Sequence, residues 1–260
     1  MSEEQQDTGT EASVVEPEQS LPQVTIADLP EPLGQAMARA GWSTLMPVQA
    51  RAIPYLLAGR DLLVQSRTGS GKTGAFLLPV LDRIEPKRAA CQALVLAPTR
   101  ELARQVAEEA KTLSGDSGLR TAVVYGGVAY GPQLQAFRSG AHLVVGTPGR
   151  ILDHLLKRNL SLKQLKMLIF DEADRMLSMG FYPDMKAIQR HLPSHRIHTC
   201  MFSATFPAHV MRLAGEFLQE PEFLSLSRDH VHVTDVDHVF YAVPRMDKDR
   251  SLVRIIEIEN

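Results

Sequence analysis

Short apolar runs alternate along most of this chain with stretches whose apolar side chains recur every three to four positions. The runs predict strands at Leu62–Gln65, Ala93–Ala97, Thr121–Tyr125, Leu143–Gly146, Met167–Phe170, Thr199–Phe202 and Phe223–Leu226. The periodic stretches predict helices at Thr73–Leu81, Glu101–Leu113, Pro148–Lys157, Pro183–Arg190 and Pro207–Leu218. Strands apolar on both faces and separated by helices predict an α/β fold, a mostly parallel sheet with helices on both faces. In such sheets ligands bind beyond the carboxyl ends of the strands, so chemistry is expected there.

The two ends of the chain break this pattern. Residues 1–22 are polar, acidic and poor in large apolar side chains, which predicts a disordered tail, because such a segment cannot bury enough surface to offset the entropy of ordering. The pattern then assigns residues 23–227 to one domain and residues 228–237, rich in His and Asp, to a linker. Residues 238–260 hold one strand (His238–Val243) and one helix (Lys248–Ile258), too little for a core, and are expected to begin a second domain.

Composition narrows the class. Of 260 residues 44% are apolar and 22% charged, which excludes collagen-like, disulfide-scaffold and wholly disordered chains. No apolar run reaches the roughly 18 residues of a membrane helix and no signal peptide opens the chain, so a cytoplasmic location without membrane contact is expected. Cys91 and Cys200 lie in apolar stretches and read as buried thiols. The net charge of −2 hides an asymmetry: eight acids and no Lys or Arg lie among the first 38 residues. Against the 28 basic residues stand 22 other acids, so residues 39–260 carry about +6.

Two strand ends carry recognisable chemistry. After the first strand comes Ser66-Arg67-Thr68-Gly69-Ser70-Gly71-Lys72-Thr73, opening a helix. Glycines let backbone N–H groups turn toward phosphate, the helix N-terminus adds positive potential, Lys72 reaches β- and γ-phosphates, and the Thr73 hydroxyl can ligand Mg²⁺. Ser66 stands where the general phosphate-loop pattern has Gly. The strand Met167–Phe170 runs into Asp171-Glu172-Ala173-Asp174. Asp171 is the candidate Mg²⁺ ligand and Glu172 the candidate to orient or deprotonate an attacking water. Taken alone, the same string is also an ordinary acidic helix start.

With these motifs the sequence resembles the first RecA-like domain of DEAD-box ATP-dependent RNA helicases of the bacterial type, which are P-loop NTPases. Further strings in the family's order are Gly41-Trp42 with Pro47-Val48-Gln49, Pro98-Thr99-Arg100-Glu101-Leu102-Ala103, Gly126-Gly127, Thr147-Pro148-Gly149-Arg150 and Ser203-Ala204-Thr205. The resemblance implies ATP and Mg²⁺ as cofactors, RNA as partner, and duplex unwinding coupled to ATP hydrolysis. It further implies catalytic roles for Lys72, Asp171, Glu172, Ser203 and Thr205. Nucleotide contacts are implied for Trp42, Gln49, Ser66, Thr68, Gly69, Ser70, Gly71, Lys72, Thr73 and Asp174, and metal ligands at Thr73 and Asp171. RNA contacts are implied for Pro98, Thr99, Arg100, Gly126, Gly127, Thr147, Pro148, Gly149 and Arg150, residue types that bind phosphate and sugar without reading bases.

The Gln49 amide matches the N6 donor and N7 acceptor of adenine, whereas guanine offers two acceptors on that edge. Ile26 stands where the family usually has Phe. The small hydroxyls of Ser203 and Thr205 are expected to bond Asp171 and Asp174 and, in the family, couple nucleotide state to strand separation. A second RecA-like domain in cis would supply an arginine finger; the family's string for it is absent from these residues, so weak hydrolysis by the 260 residues alone is expected.

His191, His195 and His198 read as a loop rather than a metal site, and Met176, Met179 and Met185 as packing. Two other functions compete: a non-catalytic RNA clamp, opposed by intact Lys72, Asp171 and Glu172, and a P-loop enzyme acting on a small metabolite, opposed by the nucleic-acid strings.

Overall fold

Period-two side-chain alternation in strands apolar on both faces requires two cores, one on each side of a sheet. The computed structural model, which describes residues 14–226 and 247–259, has this arrangement. Seven strands form the sheet: β1 (Leu62–Gln65), β2 (Ala93–Leu96), β3 (Thr121–Val124), β4 (Leu143–Gly146), β5 (Met167–Asp171), β6 (His198–Ser203) and β7 (Glu222–Ser225). All pair in parallel in the order β3-β4-β2-β5-β6-β1-β7. Leu62, Val64, Ala93, Val95, Met167 and Ile169 enter one core, and Leu63, Leu94, Leu96, Leu168 and Phe170 enter the other.

The first core is closed by α1 (Glu31–Arg39), α2 (Pro47–Leu57), α3 (Lys72–Arg83) and α4 (Arg100–Ser114). The second is closed by α6 (Pro148–Leu156), α7 (Ala173–Ser178), α8 (Tyr182–Gln189) and α9 (Ala208–Phe217), with α5 (Tyr130–Arg138) at its margin. All seven strands match the apolar runs to within a residue at each end. The helix α5 is missing from the periodic pattern because Gly131 and Pro132 fall in its first turn, where neither breaks a hydrogen bond. Pro207 is the residue before α9 rather than part of it.

The boundary of the acidic tail moves. Residues 14–22, assigned by composition to a disordered tail, lie against the domain. Val15 and Ser225 exchange both backbone hydrogen bonds, 3.1 and 2.9 Å, as an antiparallel bridge on the edge strand β7. Glu16 pairs with Arg51, the Gln19 carbonyl accepts from Arg60 at 3.0 Å, and the Leu21 N–H donates to the Tyr55 hydroxyl at 2.9 Å. An edge strand offers unpaired backbone groups, and this segment satisfies some of them. Residues 1–13, the expected linker 228–237 and the expected strand His238–Val243 lie outside the described residues. The chain divides into two compact units, Met1–Arg228 and Asp229–Asn260, the second containing the helix α10 (Lys248–Glu259).

Cys91 and Cys200 are buried free thiols; burial pushes Cys91 up to about 12 and Cys200 well above its usual value. Among the described residues no group of His, Cys, Asp and Glu could hold a metal by itself, and no helix is long and apolar enough to cross a membrane. His195 and His198 each use Nε2 on a backbone carbonyl, of Leu165 and Arg60. Met176 and Met185 are core residues, while Met179 is exposed.

Candidate functional site

The carboxyl ends of β1, β5 and β6 are neighbours, so the phosphate loop, the acidic string and Ser203 meet at one place. Gly69 and Gly71 adopt φ of +79° and +90°, conformations open to glycine. At Gly71 space is equally decisive: a Cβ would stand 2.4 Å from Met46 Sδ. The Ser66 and Ser70 hydroxyls bond at 2.7 Å, so Ser66, in place of a glycine, closes the loop. Lys72 is buried, and its Nζ donates to the Ser66 carbonyl at 3.0 Å.

Gln49 ties α2 to this loop. Its Oε1 accepts from the Met46 N–H at 2.9 Å and its Nε2 donates to the Gly71 carbonyl at 3.1 Å. A carboxamide has two lone pairs and two N–H groups, so one of each is left for a ligand. Trp42 is half-buried, packed on the first core with its ring edge against Gly74, where a Cβ would come within 2.6 Å. Ile26 packs against the same core. Thr68 is exposed and Thr73 half-buried.

Asp171 ends β5 only 2% exposed, and its Oδ1 is buried without a hydrogen-bond partner. Burial raises its carboxyl to about 7, with nearby Lys72 opposing and Glu172 adding to the rise. Glu172 turns the chain into α7 with φ of 54° and ψ of 55°, a left-handed conformation costly for a side chain of this size. Its Oε2 accepts from Arg175 Nη1 at 3.1 Å. Asp171 and Thr73 line one depression of about 260 Å³ together with Gly69, Gly71 and Lys72. An orphaned, buried carboxylate oxygen beside a phosphate loop and a hydroxyl is a donor set that fits a Mg²⁺ ion shared with phosphate oxygens.

The expectation for Ser203 and Thr205 needs correction. Both serve Asp174 and neither bonds Asp171: the Asp174 N–H donates to Ser203 Oγ at 3.2 Å, and Asp174 Oδ2 accepts from the Thr205 N–H and hydroxyl at 3.1 and 2.9 Å. Burial acts to raise the Asp174 carboxyl, and hydrogen bonding from Thr205 and Ser203 outweighs it, leaving a lowered value. In register Asp171 stands opposite Phe202, and the two hydroxyls are taken up by Asp174. A cleft of about 450 Å³ opens beside the depression, lined by Lys72, Glu172, Asp174, Arg175, Thr205 and His209.

Sequence reasoning missed Arg175 and the floor supplied by α4. Leu102, Gln105 and Glu109 line the depression, and burial raises the Glu109 carboxyl. Their i, i+3, i+7 spacing places them on one helix face, a signal hidden in an ordinary amphipathic pattern.

The other strings gather at the ends of β2, β4 and β3, which are also neighbours. The Thr99 hydroxyl accepts from the Leu102 N–H at 3.2 Å and caps α4. Arg100 reaches over Gly127, where a Cβ would lie 3.6 Å from its Nη1. The Thr147 N–H donates to the Val124 carbonyl at 3.0 Å, and Arg150 Nη2 donates to the Val128 carbonyl at 3.2 Å. Pro98 and Pro148 are buried and position the loops; Gly149 lies beside Asp184, and Gly126 and Gly127 are exposed.

Comparisons with known proteins bear on the family and the fold. The profile of the DEAD/DEAH box helicase family matches residues 46–213. The chain is 43% identical to the ATP-dependent RNA helicase DeaD of Escherichia coli K12 over 92% of its length and 38% of that protein's. It is likewise 43% identical to the RNA helicase CrhR of Synechocystis, over 91% of this chain and 48% of that one. A crystal structure of a DEAD box protein from Methanococcus jannaschii superposes with a TM-score of 0.73 at 33% identity, covering 94% of this chain and 64% of the other. The chain spans 37 to 48% of the length of the curated relatives it matches.

Proposed function

Since the chain belongs to the DEAD/DEAH box helicase family, we propose that it carries the ATP-binding and RNA-gripping part of an ATP-dependent RNA helicase. The observation that supports this most is the unpartnered, buried Asp171 oxygen in the same depression as the phosphate loop. An ionised carboxylate is costly in such a place unless a cation meets it.

In this reading backbone N–H groups of Thr68–Thr73 cradle the phosphates, and Lys72 exchanges the Ser66 carbonyl for β- and γ-phosphate oxygens. Thr73 and Asp171 hold Mg²⁺, which supplies charge neutralisation at the phosphates when bound. Glu172 orients the attacking water and accepts its proton, with Arg175 steadying the carboxylate through the 3.1 Å contact. The spare lone pair and N–H of Gln49 read adenine. Asp174 ties the acidic string to Ser203 and Thr205, so a shift at Glu172 passes to the segment before α9.

RNA lies across Pro98–Arg100, Gly126-Gly127 and Thr147–Arg150, held by its backbone without reading of bases. Residues 14–226 are read as the first RecA-like domain; a second such domain in the full-length protein would supply the arginine finger. Two buried free thiols fit a reducing, cytoplasmic location.

The test is steady-state ATP turnover by the full-length protein with and without single-stranded RNA. Glu172→Gln is expected to keep ATP affinity and lower turnover by about 10²- to 10⁴-fold, the size of a general-base contribution. Full turnover in this variant would remove Glu172 from the mechanism.

A further inference from the structure

Arg150 has an unusual set of partners. Its Nη2 donates to the Val128 carbonyl, yet Nη1 is buried and finds no hydrogen-bond acceptor among the described residues. No carboxylate pairs with it among those residues. Burying an unpaired guanidinium nitrogen is unfavourable unless something else meets the charge. The guanidinium carbon lies 4.2 Å from the centroid of the Tyr130 ring, so a π face supplies that compensation.

The ring is itself held from several sides. The Tyr130 hydroxyl donates to Asp153 and accepts from Lys157 Nζ at 2.8 Å. His154 meets the ring edge-on at 5.1 Å between centroids. That imidazole is locked in turn: Nε2 bonds the Gln133 carboxamide oxygen at 2.8 Å, and Gln133 donates to the Tyr125 carbonyl at 3.1 Å. Lys157 also lies near the ring, 4.4 Å from its centroid, but its charge is met by Asp153 at 3.0 Å. Of the two cations on the ring, Arg150 is the one left without a counter-ion.

We propose that Tyr130 is a positioning residue that holds Arg150 ready for a backbone phosphate of the bound nucleic acid. This rests on the reading of Arg150 as an RNA contact. A free arginine loses rotamer entropy when it grips a phosphate, whereas one already held on a ring loses less, and the difference appears as affinity. Tyr130 lies outside every string that marked the nucleic-acid side in the sequence, because its role depends on α5 and α6 meeting in space.

The test is a double-mutant cycle on RNA affinity in the full-length protein, with single-stranded RNA as probe and the KM for ATP measured alongside. Tyr130→Leu keeps an apolar side chain and removes the π face; it is expected to weaken RNA binding roughly 3- to 30-fold while ATP KM stays put. Tyr130→Phe should restore affinity to within about threefold of wild type, since the face remains. In an Arg150→Ala background Tyr130→Leu should add nothing.

If Tyr130→Leu binds RNA normally while Arg150→Ala is impaired, the positioning role is wrong and the RNA reading stands. A Tyr130→Leu loss that persists at full size without Arg150 equally overturns the role, as does a Tyr130→Phe variant as weak as Tyr130→Leu. If Arg150→Ala itself leaves RNA affinity unchanged, the assignment of Arg150 and the inference fall together.

Discussion

The ends of β1, β5 and β6 and the ends of β2, β4 and β3 form two halves of one sheet edge, yet they are built on opposite principles. The first half buries its charges: Asp171 and Lys72 are 2% and 7% exposed, and Glu172 is held in a left-handed conformation. The second keeps Arg100, Gly126 and Gly127 in solvent, holds Arg150 half-buried over Tyr130, and knits its loops together with single contacts. Buried charges interact strongly and are little screened by salt, which suits positioning a compact triphosphate for chemistry. Exposed cations and turn glycines suit a long polyanion whose grip depends on ionic strength. In the proposed reading one half serves the reaction, and the other is a surface that holds and releases RNA.

This contrast breaks most visibly at Lys72. Replacing Lys72 with Ala should weaken ATP binding about 10- to 100-fold, the worth of a charge-assisted phosphate contact, while nucleotide-free RNA binding is unmoved. Calorimetric titration at two salt concentrations checks this, since a loss that vanished at high salt would place Lys72 among screened surface charges.

A smaller effect comes from pH. Burial, aided by Arg120 and Arg150 respectively, holds the His142 and His154 imidazoles below their ordinary value. The unfolded chain therefore takes up these protons first, and stability present above pH 6.5 is lost as pH falls through the lower folded values. Asp171 runs the other way: with a carboxyl raised from 3.8 to about 7, its contribution is intact below 3.8 and lost as pH rises through 7. Acidification from pH 8 to 5 should thus lower amide-exchange protection in α6 and raise it at the end of β5. His198, at the far end of β6, moves with the histidines. A uniform change over both regions would show that the two halves do not titrate separately.

Much of this was legible in the sequence, for identifiable reasons. Strands buried on both faces are continuous apolar runs, so all seven strands could be read directly. Glycine and lysine spacing marks a phosphate loop because backbone geometry allows few other residues there. What could not be read depends on approach through space. Gln49 bonding Gly71, Asp174 monopolising Ser203 and Thr205, and α4 lending Glu109 to the depression each join elements 22 to 62 positions apart in the chain. The docking of residues 14–22 was hidden because composition reports how little a segment can bury, while an edge strand can recruit it through backbone groups, joined here by the Glu16–Arg51 pair and by Val14 and Leu21 against the first core.

The central claim is that the two halves serve one reaction, ATP turnover governed by RNA, and it is tested most directly by titrating single-stranded RNA into an ATP-turnover assay of the full-length wild type and its Arg100→Ala variant. The account predicts that RNA accelerates turnover, and that Arg100→Ala raises the RNA concentration for half-maximal turnover about 3- to 30-fold, with a shallower salt dependence and an unchanged KM for ATP. Turnover indifferent to RNA, or an Arg100→Ala variant that shifts the ATP KM and leaves RNA half-saturation in place, would contradict it.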